Sequence, residues 1–130
     1  MTARRTAALL VLLPALALTG CGGGSPAAPS SAGAVTAAGA PGSQTATVVG
    51  GSDLRFAPQT VAAKVGTLAL TLRIGGGVPH DLQFDDASLG TPIPVVASGS
   101  ASKTYTFPRA GTYRFVCTLH PGMVGQVVVS

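Results

Sequence analysis

Between residues 45 and 130 apolar and polar side chains alternate in short bursts, each broken by Gly, Pro or Asp. A period of two marks a strand with one buried face. The longest burst is Thr67–Ile74, where Leu68, Leu70, Leu72 and Ile74 share one side. The same period predicts strands over Thr45–Gly50, Thr60–Lys64, Val78–Phe84, Ser102–Phe107, Gly111–Cys117 and Val124–Val129, with a short edge opening at Phe56. Asp85, Asp86, Pro92 and Pro94 mark a polar connection between the fourth and fifth of these long runs. No segment keeps a 3.6-residue period over helical length. Seven or eight short strands in such a span predict an all-β domain, a Greek-key β-sandwich. Phe56, Phe84, Tyr105, Phe107, Tyr113 and Phe115 are its bulky core candidates.

The first forty residues follow a different pattern. Arg4 and Arg5 precede an apolar run from Ala7 to Leu18, interrupted by Pro14. That run is too short to span a bilayer and suits the core of a signal peptide. Leu18-Thr19-Gly20-Cys21 follows it and resembles a bacterial lipoprotein cleavage box. The expected arrangement is a leader over residues 1–20, then a lipid-bearing Cys21, a linker through residue 43, and the folded domain over 44–130. From Gly22 to Ser43 there is no charged residue, only Gly, Ala, Pro and Ser with Val35 and Thr36. Such a segment reads as a flexible tether. Lipid on Cys21 would hold the domain at the outer face of a bacterial cytoplasmic membrane, in the periplasm or envelope space, with no other membrane contact.

Charge adds little beyond an exclusion. Two of the eight basic residues lie in the leader, leaving six against four acids. They form no patch and no aromatic interleaving, which speaks against nucleic-acid binding. Cysteine says more. With Cys21 lipidated, Cys117 has no partner in the chain for a disulfide. An exported lone thiol oxidises unless it is buried or metallated.

Cys117 ends a predicted strand and is followed by His120 and Met123 around a Pro121-Gly122 turn. A thiol, an imidazole and a thioether in one short loop form a set of soft ligands, and a second His would complete a copper site. The second His is His80, on the same predicted strand face as Leu82 and Phe84. Singly, each residue has an ordinary use: Cys as a small buried hydrophobe, Met as a gap filler, His as a hydrogen-bonded side chain. Together they account for every His, and every Cys and Met beyond the leader and the lipobox.

The run Cys117-Thr-Leu-His120-Pro-Gly-Met123 resembles the C-terminal ligand loop of the cupredoxins, the small blue copper proteins, in the spacing found in amicyanin. Val78-Pro79-His80-Asp81 resembles their upstream ligand segment. The resemblance implies one copper ion held by His80, Cys117, His120 and Met123. It also implies an electron carrier rather than an enzyme, a monomer that shuttles single electrons between a redox donor and a redox acceptor. In the family an apolar patch around the second His docks partners; here Leu119, Pro121 and Gly122 occupy those positions. One residue departs from the pattern. Asp81 stands where many cupredoxins carry an Asn that bridges the two ligand loops, which places that bridge in question because a carboxylate does not donate as an amide does. A copper-handling protein with no role in electron transport is the alternative reading. No Ser-His-Asp set, paired catalytic carboxylates or phosphate loop supports an enzyme.

Overall fold

The computed structural model describes residues 33–130. The leader, Cys21 and the first part of the linker lie outside them. Ten strands follow in order: β1 (Ala34–Thr36), β2 (Gln44–Gly51), β3 (Phe56–Ala57), β4 (Thr60–Ala63), β5 (Gly66–Gly75), β6 (His80–Phe84), β7 (Ile93–Val96), β8 (Ser100–Phe107), β9 (Gly111–Val116) and β10 (Val124–Val129). A 3-10 turn at Ala87–Leu89 is the helical element among the described residues. No helix among them is long and apolar enough to cross a membrane.

The strands form two sheets that face each other. One has the order β1-β4-β10-β9-β6-β7 and the other β3-β2-β5-β8. Parallel pairs (β1 with β4, β4 with β10, β2 with β5) are mixed with antiparallel ones. Alternation along β5 carries into burial: Leu68, Leu70 and Leu72 are fully buried, while Arg73 is exposed. The predicted aromatics meet between the sheets. Phe84 lies edge-on to Tyr105, Phe107 and Phe115 at ring separations of 4.8, 5.7 and 5.6 Å. Phe56 meets Phe115 at 5.0 Å. Such edge-to-face pairs contribute about 0.5–1.5 kcal/mol each beyond burial.

Strand direction defines two poles. Gly51, His80, Val116 and Val124 lie at the upper pole; Gly42, Gly66, Phe107, Gly111 and Val129 lie at the lower. The loops carrying the candidate ligands all belong to the upper pole. At the lower one, Tyr113 donates its hydroxyl to the Arg109 carbonyl at 2.9 Å and ties the turn into β9.

The sandwich has more strands than the seven or eight expected, and two of the additions explain why. β7 contains Pro94, inside what the sequence presented as a polar connection. Proline lacks the N–H a ladder needs and is confined to sheet edges, and β7 is the edge beyond β6. β1 falls within the expected linker of residues 21–43 and corrects its boundary. Ala34 pairs with Thr60 and Thr36 with Ala62, Ala37 is buried, and Ala38 exchanges hydrogen bonds with Thr45. Strand addition to an open edge uses main-chain groups, so an alanine-rich segment whose one large apolar residue, Val35, is exposed joins the sheet without showing a hydrophobic pattern. The folded unit thus begins by residue 34.

Candidate metal centre

Three donor atoms meet at the upper pole. Cys117 Sγ lies 3.7 Å from His80 Nδ1 and 3.4 Å from His120 Nδ1. All three ligand atoms fall within 4.8 Å of one another. A metal in their plane at ordinary bond lengths, about 2.0–2.1 Å to nitrogen and 2.3 Å to sulfur, separates sulfur from nitrogen by roughly 3.8 Å. The donors therefore stand close to the spacing a trigonal ion requires. Two imidazoles and a thiolate in that arrangement are the donor set of type 1 copper.

His80 is held by the sheets. It begins β6, is fully buried, and its ring packs on β2. Gly50 leaves the room: a Cβ there would come within 2.4 Å of His80 Cδ2. The next residue fixes the tautomer. Nε2–H donates to the Gly51 carbonyl at 3.0 Å, which leaves the Nδ1 lone pair directed at Cys117. Burial lowers the His80 pKa below the ordinary imidazole value, only partly opposed by the Gly51 hydrogen bond, so the ring is neutral at pH 7.

The other donors come from the loop between β9 and β10. Cys117 N–H donates to the Met123 carbonyl at 3.0 Å and Met123 N–H to the His120 carbonyl at 3.1 Å, closing the loop on itself. Cys117 and Met123 are buried, whereas His120 is half-buried. The two rings lie at 61° with centroids 4.8 Å apart. Burial raises the Cys117 pKa. The N–H groups of Asp81 and Leu119 oppose that rise, while the Asp81 carboxylate reinforces it. Without a metal the site therefore holds a thiol, and a cation must displace its proton.

Asp81 keeps the bridge that its acidic side chain had placed in question. One carboxylate oxygen accepts from Thr118 N–H at 2.6 Å and the other from the Thr118 hydroxyl. Thr118 supplies both protons, so the link between the ligand segments needs no amide donor. The carboxylate is 6% exposed, next to Cys117 and His80, which places a negative charge close behind the donors.

The sequence reading omitted Gly50, Gly51 and Thr118. Paired glycines at a strand end are a general sign of close backbone approach, but they do not name the ring that approaches. Leu119, Pro121 and Gly122 are exposed around His120, as placed by the sequence. The structure adds Leu54, 44% exposed, on a loop that lines one groove together with Pro121, Gly122 and Met123.

Comparison with known proteins agrees with this centre. Residues 43–130 match the family described as copper binding proteins, plastocyanin/azurin family. The chain belongs to that family: it is a cupredoxin, and its cofactor is one copper ion. A plastocyanin of Sambucus nigra is 29% identical over 97 residues, covering 64% of this chain and 97% of its own. Among solved structures, the reduced state of an amicyanin variant is 29% identical, with a TM-score of 0.54 over 66% of this chain and 82% of its own. A purple cupredoxin from Nitrosopumilus maritimus is 25% identical, with a TM-score of 0.51 over 65% and 99%.

Proposed function

We propose that this cupredoxin is a one-electron carrier with a type 1 copper centre, leashed by a lipid on Cys21 to the outer face of a bacterial membrane. His80, Cys117 and His120 would hold the copper, with the thioether of Met123 as a further donor. The observation that carries the reading is the convergence of one thiol and two imidazole nitrogens at trigonal spacing, backed by a buried thioether residue. Bound copper supplies the exchange of one electron between its two oxidation states. The protein's part is to keep the donors still. His80 is wedged on Gly50 and tied to Gly51, while the Asp81–Thr118 link joins its segment to the Cys117 loop. A site held this way changes little on electron transfer, so little reorganisation opposes the electron's passage.

His120 forms the exit. Its half-buried ring sits among exposed Leu119, Pro121 and Gly122, an uncharged surface on which a donor or acceptor protein docks. The deep burial of the other donors favours electron exchange over metal hand-over, since a copper-delivery protein exposes its ligands to the recipient. An absorption spectrum of the oxidised, copper-loaded protein tests the assignment. An intense visible band from thiolate-to-copper charge transfer is expected, and a colourless Cu(II) complex would refute it.

A further inference from the structure

The geometry points to an orientation: the tether leaves from the copper pole, so the domain presents His120 toward the membrane and docks there with a redox protein integral to that membrane. This rests on the reading of a lipidated Cys21 and a copper centre.

β1 enters the sheet at Ala34 opposite Thr60 and runs toward the lower pole, parallel to β4. Its upstream neighbour Gly33 is therefore on the copper side, where its carbonyl accepts from Thr60 N–H. Thr60 pairs with Gln126, two residues below Val124 at the end of the ligand loop. Gly33 and Ala34 line a groove with Asp53, Arg55 and Gln59. The same three residues line the adjoining groove with Pro121, Gly122 and Met123. The point of entry thus neighbours the exposed ledge beside the copper ligands.

The position of β1 also shortens the leash. With the domain beginning by residue 34, the chain from Cys21 to Gly33 spans twelve residues. Random-coil statistics give twelve residues a typical reach of about 19 Å, against about 25 Å for the linker that composition alone implied. Ser130 is fastened at the opposite pole, its N–H donating to Ala63 and its carbonyl accepting from Val65. Seven residues separate it along the chain from Met123, or about 23 Å of strand. A tether at that end would hold the ligand loop farther from the bilayer by more than its own typical reach. As built, the ledge of Leu54, Leu119, Pro121 and Gly122 stays next to the membrane surface. It carries no acidic cluster and no basic patch, only Asp53 and Arg55 on either side of Leu54 with opposite charges, so a largely apolar ledge of no net charge on a membrane-embedded redox protein fits it.

The test compares the full lipidated chain with a variant carrying Cys21→Ala and the same lipid after Ser130 through an equally long spacer. Both are copper-loaded in phosphatidylcholine–phosphatidylglycerol vesicles containing a red-emitting headgroup dye. Quenching that disappears on reduction reads the height of the centre, because only the oxidised site absorbs. The parent should quench more strongly than the variant, and equal quenching would overturn the orientation. With washed membranes of the source cells as reductant, the parent should accept electrons at least about tenfold faster than the variant, through the higher effective concentration of its docking face. Equal rates, or reduction only after a soluble fraction is added, would overturn the membrane-embedded partner. Binding of the unlipidated chain to bare vesicles would assign the ledge to lipid instead. Mass spectrometry and absorbance separate the failures. A parent without lipid defeats the tether reading together with this one, and a colourless one defeats the copper reading. Blue, lipidated protein with equal quenching defeats the orientation alone.

Discussion

The two imidazoles of the centre are held in different ways. His80 belongs to the wall of the sandwich: it starts β6, has no exposed surface, rests on Gly50 and gives its remaining N–H to Gly51. His120 hangs on a seven-residue loop whose closure depends on two main-chain hydrogen bonds, with exposed neighbours on either side. A site that holds its donors still while bringing one of them to the surface divides the tasks. The sheets supply the rigidity, and the loop brings one ligand to the surface. Cys117 joins the halves, since it follows directly on β9 and approaches both rings.

Removing the joint should have the largest effect. Cys117→Ser replaces the thiolate with a hydroxyl that does not ionise, so the visible charge-transfer band should vanish while far-ultraviolet circular dichroism is retained. A surviving band would mean that another group supplies the sulfur.

Next comes the wall. In Gly50→Ala the new methyl would lie 2.4 Å from His80 Cδ2 and 2.8 Å from Cγ, so the ring must move and its bond to Gly51 must lengthen. Overpacking of this kind costs about 1–3 kcal/mol. Loss of an outer partner of a metal-bound His lowers metal affinity about 10–100-fold. Urea unfolding and a copper competition titration measure the two effects. Wild-type values in both would show that the wall does not set the position of His80.

How much of this was legible in the sequence depends on the range of each contact. The loop from Cys117 to Met123 is local: its ligand spacing, turn and strand parity all sit within seven residues, and the structure brings Cys117 and His120 together as that spacing implies. His80 was placed by the alternation with Leu82 and Phe84, and all three are buried. The support behind His80 was not legible, because Gly50 and Gly51 are about thirty residues away and act through absent bulk and a carbonyl. β1 and β7 were hidden for related reasons. Their edge pairing is made by main-chain groups, β1 is three exposed residues in an Ala-rich stretch, and Pro94 interrupts the Ile and Val of β7, so neither shows a period of two.

Asp81 lies between the two regions, and changing it sharpens the contrast. Asp81→Asn removes a buried negative charge that favours the more positive oxidation state, so the reduction potential should rise. A tenfold change in the relative affinity for the two states corresponds to about 59 mV for one electron. The amide can still accept from Thr118, so copper should stay bound. Cyclic voltammetry showing a lower potential would contradict the charge argument.

The metal-free wall should also respond to acid. The His80 pKa is lowered in the folded state, chiefly by burial, so below the reference imidazole value of about 6.5 the unfolded chain binds the proton more readily. Its contribution to stability is present above that value and is lost as pH falls through the folded pKa. The urea midpoint of the apo-protein should therefore decline on acidification from pH 7, and His80→Gln should reduce that decline. A midpoint that rises would reverse the sign and remove burial as the cause.

The smallest structural effect is expected at the ledge, where the functional one should still be clear. Leu119 is 46% exposed, so Leu119→Lys should change stability by no more than about 0.5 kcal/mol. Its side chain is not among the donors, and the visible band and copper affinity should match the parent. Electron self-exchange between two copies is different. With electrons leaving at His120, it would bring two His120 edges together, and lysine would then place like charges face to face across the contact. Changes of this kind act on the association rate and its salt dependence. Self-exchange, read from NMR line broadening in mixtures of oxidised and reduced protein, should slow by about tenfold at low salt and recover as ionic strength screens the repulsion. An unchanged rate at every salt concentration would mean that electrons leave through a surface other than the loop that carries His120.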